Sequence, residues 1–171
     1  MKPDLFWIPG PWPGRLAIAA RPRGGDWLED EASGWRQADI DIIVSLLEAD
    51  EGAQLDLADE DKAAAANGIR FISFPIPDRG VPASAPEALS LIAAISDAME
   101  RANNVAVHCR QGVGRSGLIA VGVLANAGID PERAIEIVSS ARGQTVPETP
   151  EQCSWIHRWP SLPLVVLKAD R

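Results

Sequence analysis

Cysteine is scarce in this 171-residue chain, which has only Cys109 and Cys153. Two thiols cannot build a disulfide framework, so a reducing, cytoplasmic setting is expected. No run approaches ~18 uninterrupted apolar residues, so no membrane-spanning helix is expected. Pro9, Pro11 and Pro13 interrupt the N-terminal region, which does not read as the apolar core of a signal peptide. Bases are outnumbered by acids, 16 to 24, for a formal net charge of -8. That balance argues against nucleic acid or an anionic membrane as the main partner. Tyrosine is missing altogether, although tryptophan occurs six times.

What remains is ordinary globular composition, 46% hydrophobic and 23% charged. The length suits a single domain over 1–171 with a core that needs no staples. Residues 1–14, rich in Pro, Gly and aromatics, read as an irregular arm, and 160–171 read as a C-terminal tail. Strands are predicted at Leu16–Ala19, Ile40–Leu47, Ile69–Phe74 and Val105–His108. Asp26 is predicted to cap a helix carrying Trp27, Leu28, Ala32 and Trp35. Further helices are predicted up to Ala66, from Pro86, over the apolar Leu118–Ala127, from Pro131 to Arg142, and from Pro150 to about Trp159. Pro75 to Pro82 must be a loop. Strands alternating with helices predict an α/β fold, a mainly parallel sheet of four to five strands flanked by helices.

The chemistry concentrates in His108-Cys109-Arg110-Gln111-Gly112-Val113-Gly114-Arg115-Ser116-Gly117, between a strand and an apolar helix. Glycines let the backbone curl so that successive N–H groups point inward, and the helix N-terminus adds partial positive charge. This loop, Arg110 to Arg115, is therefore a candidate phosphate cradle. Arg115 can bind two phosphate oxygens with its planar fork. Cys109 sits where the same nest would stabilise a thiolate, and Ser116 can donate a hydrogen bond to the sulfur. The segment also satisfies the Gly112-x-Gly114-x-x-Gly117 dinucleotide fingerprint, with Glu132 and Glu136 near the expected acidic position. That alternative needs a second strand where a helix is predicted.

Cys109-x5-Arg115-Ser116 resembles the signature of the protein tyrosine phosphatase superfamily. Pro13 to Ala17 and Arg142 to Gln152 extend the resemblance toward small atypical dual-specificity phosphatases. The resemblance implies a phosphate loop between the last strand and a central helix, and phosphomonoester hydrolysis through a phosphocysteine. It implies no metal or other cofactor. Partners would be a phosphorylated protein or a small phosphomonoester acted on by a monomer, with no nucleic acid and no membrane. Asp78, 31 positions before Cys109, looks like the general acid of such enzymes, although Pro77-Asp78 is also good turn chemistry. Thr149 or Gln152 would place the hydrolytic water, or Gln152 would cap a helix. His108 would hydrogen-bond the Cys109 backbone, or serve simply as a satisfied core histidine. Cys153 and His157 lack further metal ligands nearby in sequence, so Cys153 reads as a structural thiol.

Tyrosine-specific members of that superfamily stack a tyrosine on the substrate ring, and this chain has none; Trp27, Trp35 or Phe74 would have to substitute. Relatives acting on phosphoinositides tend to carry lysine where Arg110 and Val113 stand, so lipid specificity is not favoured. A catalytically weak phosphate-recognition module on the same fold is the rival reading, with sulfur or arsenate chemistry on a similar loop behind it. The acidity itself is localised: Asp26 to Asp61 holds 13 acids and one base, Arg36, and the remainder is net positive. That stretch reads as a solvated face remote from the phosphate loop.

Overall fold

The computed structural model describes residues 2–158. Five strands form one sheet in the order β1-β2-β5-β3-β4. They are β1 (Leu5–Ile8), β2 (Leu16–Ala19), β3 (Ile42–Ser45), β4 (Arg70–Ser73) and β5 (Val105–His108). The last four in chain order run parallel, and β1 is added antiparallel at the edge. The helices are α1 (Leu28–Gln37), α2 (Ala49–Gln54), α3 (Glu60–Ala66), α4 (Ala85–Glu100), α5 (Gly114–Asn126), α6 (Pro131–Arg142) and α7 (Pro150–Arg158).

Strands β2, β3 and β5 are buried on both faces, which explains their unbroken apolar character. Alternation sorts their side chains. Leu16, Ile18, Ile42, Val44, Val105 and Val107 join the larger core under α4 to α7. Ala17, Ala19, Ile43 and Ala106 face the smaller core around Trp35 of α1 and Ala63 and Ala64 of α3. Small alanines there make room for the Trp35 ring, which is 1% exposed. Helix α5 is buried at every position from Gly114 to Leu124, as its all-round apolar sequence requires.

Three expectations are corrected. The arm at 1–14 is not wholly irregular, because Leu5–Ile8 pairs with Leu16–Ala19. The prolines that marked the region follow the strand rather than interrupt it. Asp26 does not cap α1; it lies within a 3-10 turn, Gly25–Trp27, and no side chain caps either helix start. The acidic stretch forms α2 as well as α3, with no apolar stripe to announce it. Helix α2 is held by a reciprocal capping box between Glu48 and Glu51. The predicted tail 160–171 lies outside the described residues, as does Trp159. No helix among the described residues is long and apolar enough to cross a membrane.

Candidate active site

The candidate residues converge at the carboxyl ends of the parallel strands, where ligands bind in open α/β sheets. The loop after β5 carries Cys109 to Val113, the loop after β4 carries Asp78, and the segment after β3 leads to Glu51. Between them lies a cavity of about 60 Å³ lined by Asp78, Arg79, Cys109, Gln111, Gly114, Arg115 and Glu148.

Cys109 is 2% exposed, and its Sγ accepts a hydrogen bond from the Gly112 N–H at 3.2 Å. Gly112 has φ of 71°, in the left-handed region where a side chain is strained. That conformation turns its N–H toward the sulfur. Its carbonyl points outward instead and accepts from Arg142 Nε at 2.8 Å, while Arg142 Nη2 reaches the Gln111 carbonyl at 3.2 Å. Arg142 thus clamps the outer side of the loop so that amides face in, and its guanidinium lies 4.0 Å over the Phe6 ring. Arg142→Ala is expected to leave the loop free to flip its peptides and to lower kcat/KM by roughly tenfold, chiefly through KM. Steady-state kinetics on an aryl phosphate would check this.

Arg115, in the first turn of α5, is 2% exposed, and both of its Nη atoms are engaged. Its Nη1 donates to Glu51 Oε2 at 2.7 Å and to the Ile76 carbonyl at 3.0 Å. Its Nη2 donates to Glu51 Oε1 at 2.9 Å and to Asp78 Oδ1 at 3.1 Å. Burial works against the charge, but the Glu51 hydrogen bonds, with the Cys109, Glu51 and Asp78 charges, hold the guanidinium above its ordinary range. In return, the Arg115 hydrogen bond holds the Glu51 carboxyl below the usual glutamate range, against its own burial. The expectation of a remote acidic face is therefore overturned. Glu51 belongs to the acidic stretch and orients the central arginine, while Glu60 of α3 reaches the base of the loop.

Glu60 accepts from His108 Nε2 inside the protein. His108 Nδ1 stands 3.5 Å from the Cys109 carbonyl, at the limit of a hydrogen bond. Its principal partner is thus Glu60 rather than the Cys109 backbone, and Trp35 stacks on the ring with centroids 6.2 Å apart. Ser116 differs more plainly from expectation. Its hydroxyl is buried and bonds to no group among the described residues, so it does not donate to the sulfur here.

Asp78 is both a turn residue and a site residue. The Gly80 N–H donates to the Pro77 carbonyl at 2.8 Å, closing a turn in which Arg79 takes φ of 61°. A non-glycine residue held there needs support. It receives it from the segment before and within α7. Arg79 Nη1 pairs with Glu148 Oε1 at 2.9 Å, Thr149 Oγ1 donates to the Arg79 carbonyl at 3.4 Å, and Gln152 Nε2 donates to the Gly80 carbonyl at 3.0 Å. Thr149 and Gln152 also form a reciprocal capping box for α7. Gln152 therefore does what the capping alternative described, and it ties the Asp78 turn to the helix as well. Gly114 permits this approach: a Cβ there would stand 3.0 Å from both Gln152 and Glu148 side-chain atoms.

The loop residues Arg110, Gln111 and Val113 are placed by the same turn. Arg110 Nη1 lies 3.9 Å from Glu51 Oε1, Gln111 lines the cavity, and half-buried Val113 packs on the larger core. Trp35 and Phe74 are packing groups, whereas Trp27 is 52% exposed. Both cysteines are free. His157 bonds Glu132 and the Cys153 carbonyl, and no trio of metal-ligating side chains occurs among the described residues. The dinucleotide alternative fails on the same geometry. Glu132 and Glu136 lie on α6 and pair with His157 and Arg133, not at the end of a strand beside the loop.

Sequence reasoning missed Glu51, Glu60 and Glu148 as parts of this site. Glu51 left one local trace, its spacing of three from Glu48 at a helix start. Glu60 and Glu148 left none.

Known proteins resemble this chain in sequence and in fold. The family described as "Dual specificity phosphatase, catalytic domain" matches residues 37–160. A curated relative, the putative tyrosine phosphatase 197R of Invertebrate iridescent virus 6, is 34% identical over 95 residues. The match takes in 53% of this chain and 34% of that protein, so the chain spans about a third of its length. The solved structure of Tk-PTP in the active form is 27% identical with a TM-score of 0.77, covering 94% of this chain and 99% of that one. Kinase associated phosphatase, with its catalytic-site cysteine changed to serine, shares the fold at 18% identity and a TM-score of 0.85, covering 94% and 96%. A match across most of the chain, on a five-stranded sheet with Cys109 and Arg115 at its carboxyl edge, places the chain in the dual specificity phosphatase family.

Proposed function

We propose that the chain hydrolyses phosphomonoesters through a covalent phosphocysteine on Cys109. The carrying observation is the convergence of the Cys109 thiol, the Arg115 fork and the Asp78 carboxylate on one cavity, with the Gly112 amide turned to the sulfur. An incoming phosphate takes over the Arg115 Nη2 that donates to Asp78. Its equatorial oxygens rest on the loop amides and Arg115, which stabilise charge in the transition state. The Cys109 thiolate attacks phosphorus, the S–P bond forms, and the bond to the ester oxygen breaks. Asp78 gives its proton to that departing oxygen. Water then attacks phosphorus, Asp78 takes the water proton, and the S–P bond breaks to return the thiolate. The positive charge comes from Arg115 and the amides, so no step calls for a metal ion. Substrates are a phosphorylated protein or a small phosphomonoester, handled by a monomer in a reducing, cytoplasmic setting that keeps the thiol free.

Asp78→Ala tests the acid assignment. An alkyl phosphate, whose leaving oxygen needs a proton, should lose roughly 10²-fold in kcat, and an aryl phosphate with a good leaving group much less. Equal losses on both would remove Asp78 from this role. Turnover in the presence of excess chelator tests the metal-free reading, and an activity abolished by chelator and restored by a divalent ion would contradict it.

A further inference from the structure

Hydrolysis of a phosphocysteine needs a water whose lone pair faces phosphorus, so its hydrogens must point at acceptors. Asp78 can take one of them. Neither Thr149 nor Gln152 is placed to take the other. Gln152 Oε1 accepts from the Glu148 and Thr149 amides at 3.0 and 3.1 Å, which occupies both of its lone pairs. Its Nε2 can only donate, and does so to the Gly80 carbonyl at 3.0 Å. Thr149 Oγ1 donates to the Arg79 carbonyl at 3.4 Å and accepts from the Gln152 amide at 3.2 Å. Both side chains are buried, and neither lines the cavity over Cys109.

Glu148 does line it. Its Oε1 pairs with Arg79 Nη1 at 2.9 Å. Its Oε2 accepts from no donor among the described residues, and it lies over Gly114 so closely that a Cβ there would stand 3.0 Å from it. The Arg79 pair fixes the carboxylate and offsets its charge beside a phosphoryl group. Gln111 also lines the cavity, but its side chain is exposed and its carbonyl is held by Arg142.

We propose that Glu148 is a catalytic residue of the second step, in which its Oε2 accepts a hydrogen bond from the hydrolytic water and aims the water's lone pair at phosphorus. The proposal rests on the hydrolase reading above. The water oxygen bonds to phosphorus, the S–P bond breaks with its electron pair returning to Cys109, and the water proton passes to Asp78. Glu148 neither gains nor loses a proton.

Glu148→Ala and Glu148→Gln, assayed on an aryl phosphate with a good leaving group, test it. The kcat/KM ratio reports only the steps up to the phosphoenzyme, whereas kcat includes its breakdown. In Glu148→Ala, kcat and KM should fall together by roughly tenfold while kcat/KM stays within about twofold, which also shows that the variant folds. Rapid acid quenching should find more phosphorylated Cys109 at steady state than in the wild type. Glu148→Gln keeps an acceptor oxygen and should restore most of the breakdown rate. An unchanged kcat in Glu148→Ala overturns the proposal. A loss in kcat/KM as large as that in kcat also overturns it, since Glu148 would then act only as the partner that braces Arg79 beside Asp78. Wild-type protein that turns over the aryl phosphate without phosphorylating Cys109 overturns the hydrolase reading instead.

Discussion

Cys109→Ser should abolish turnover of phosphomonoesters, with a loss of roughly 10⁴-fold or more in kcat. The replacement changes one atom in a side chain that is 2% exposed, so the fold has little reason to respond. The chemistry does. A serine hydroxyl holds its proton far more tightly than a thiol does, so it stays protonated where the thiol would ionise. Asp78 faces Arg115, and the Gly112 N–H that meets Sγ can only donate. Loop amides and Arg115 remain, so the variant should still bind inorganic phosphate with affinity near that of the wild type. Circular dichroism and a phosphate competition assay on one preparation separate lost chemistry from lost structure. A variant that retains appreciable turnover would show that Cys109 is not the nucleophile.

Glu51→Gln should damage both stability and catalysis, although Glu51 does not line the cavity over Cys109. The substitution keeps the shape but removes the charge that both Nη atoms of Arg115 contact. The guanidinium would then be balanced chiefly by Asp78, whose side chain is 53% exposed. Breaking a buried ion pair from one side costs about 3 kcal/mol or more, because the remaining charge is uncompensated. Urea unfolding at neutral pH should show a loss of that order. An Arg115 fork released from its brace should also lower kcat/KM by roughly 10- to 100-fold. The pH dependence follows from the lowered carboxyl. Glu51 binds its proton more weakly folded than unfolded, so its contribution is fully present above the unfolded value. It is lost as pH falls through the depressed folded value, below about 4.5. The stability gap between wild type and Glu51→Gln should therefore close as the solution is acidified. A gap independent of pH down to acid unfolding would mean that the carboxylate charge is not what matters there.

These two residues also mark where sequence could and could not be read. Cys109 and Arg115 lie within one loop, and the chemistry of such a loop depends on neighbours a few positions apart. Asp78 was visible because proline chemistry isolates it in a loop after a strand. Helix α6 was bounded at both ends by Asp130-Pro131 and Gly143, local capping signals that the fold obeys. Glu51 meets Arg115 across 64 positions and Glu60 meets His108 across 48, distances set by the order β2-β5-β3. Nothing local marks either carboxylate as a partner of the loop, since the spacing of Glu51 from Glu48 signals only a helix start. The net charge misled for the same reason. An acidic stretch looks like a solvated face until the fold turns two of its members inward. Strand β1 is hidden in the sequence by the prolines after it, and the position of Ser116 next to Arg115 suggests a bond to the sulfur that its hydroxyl does not make.

The most direct measurement is rapid acid quenching of the enzyme during turnover of an aryl phosphate, followed by peptide mass analysis. A covalent intermediate predicts one phosphoryl group per chain on the peptide containing Cys109, formed in a burst and absent from Cys109→Ser. Steady turnover with no phosphoryl group on Cys109 at any quench time, accompanied by phosphorylation of another side chain or by persistent activity in Cys109→Ser, would contradict it.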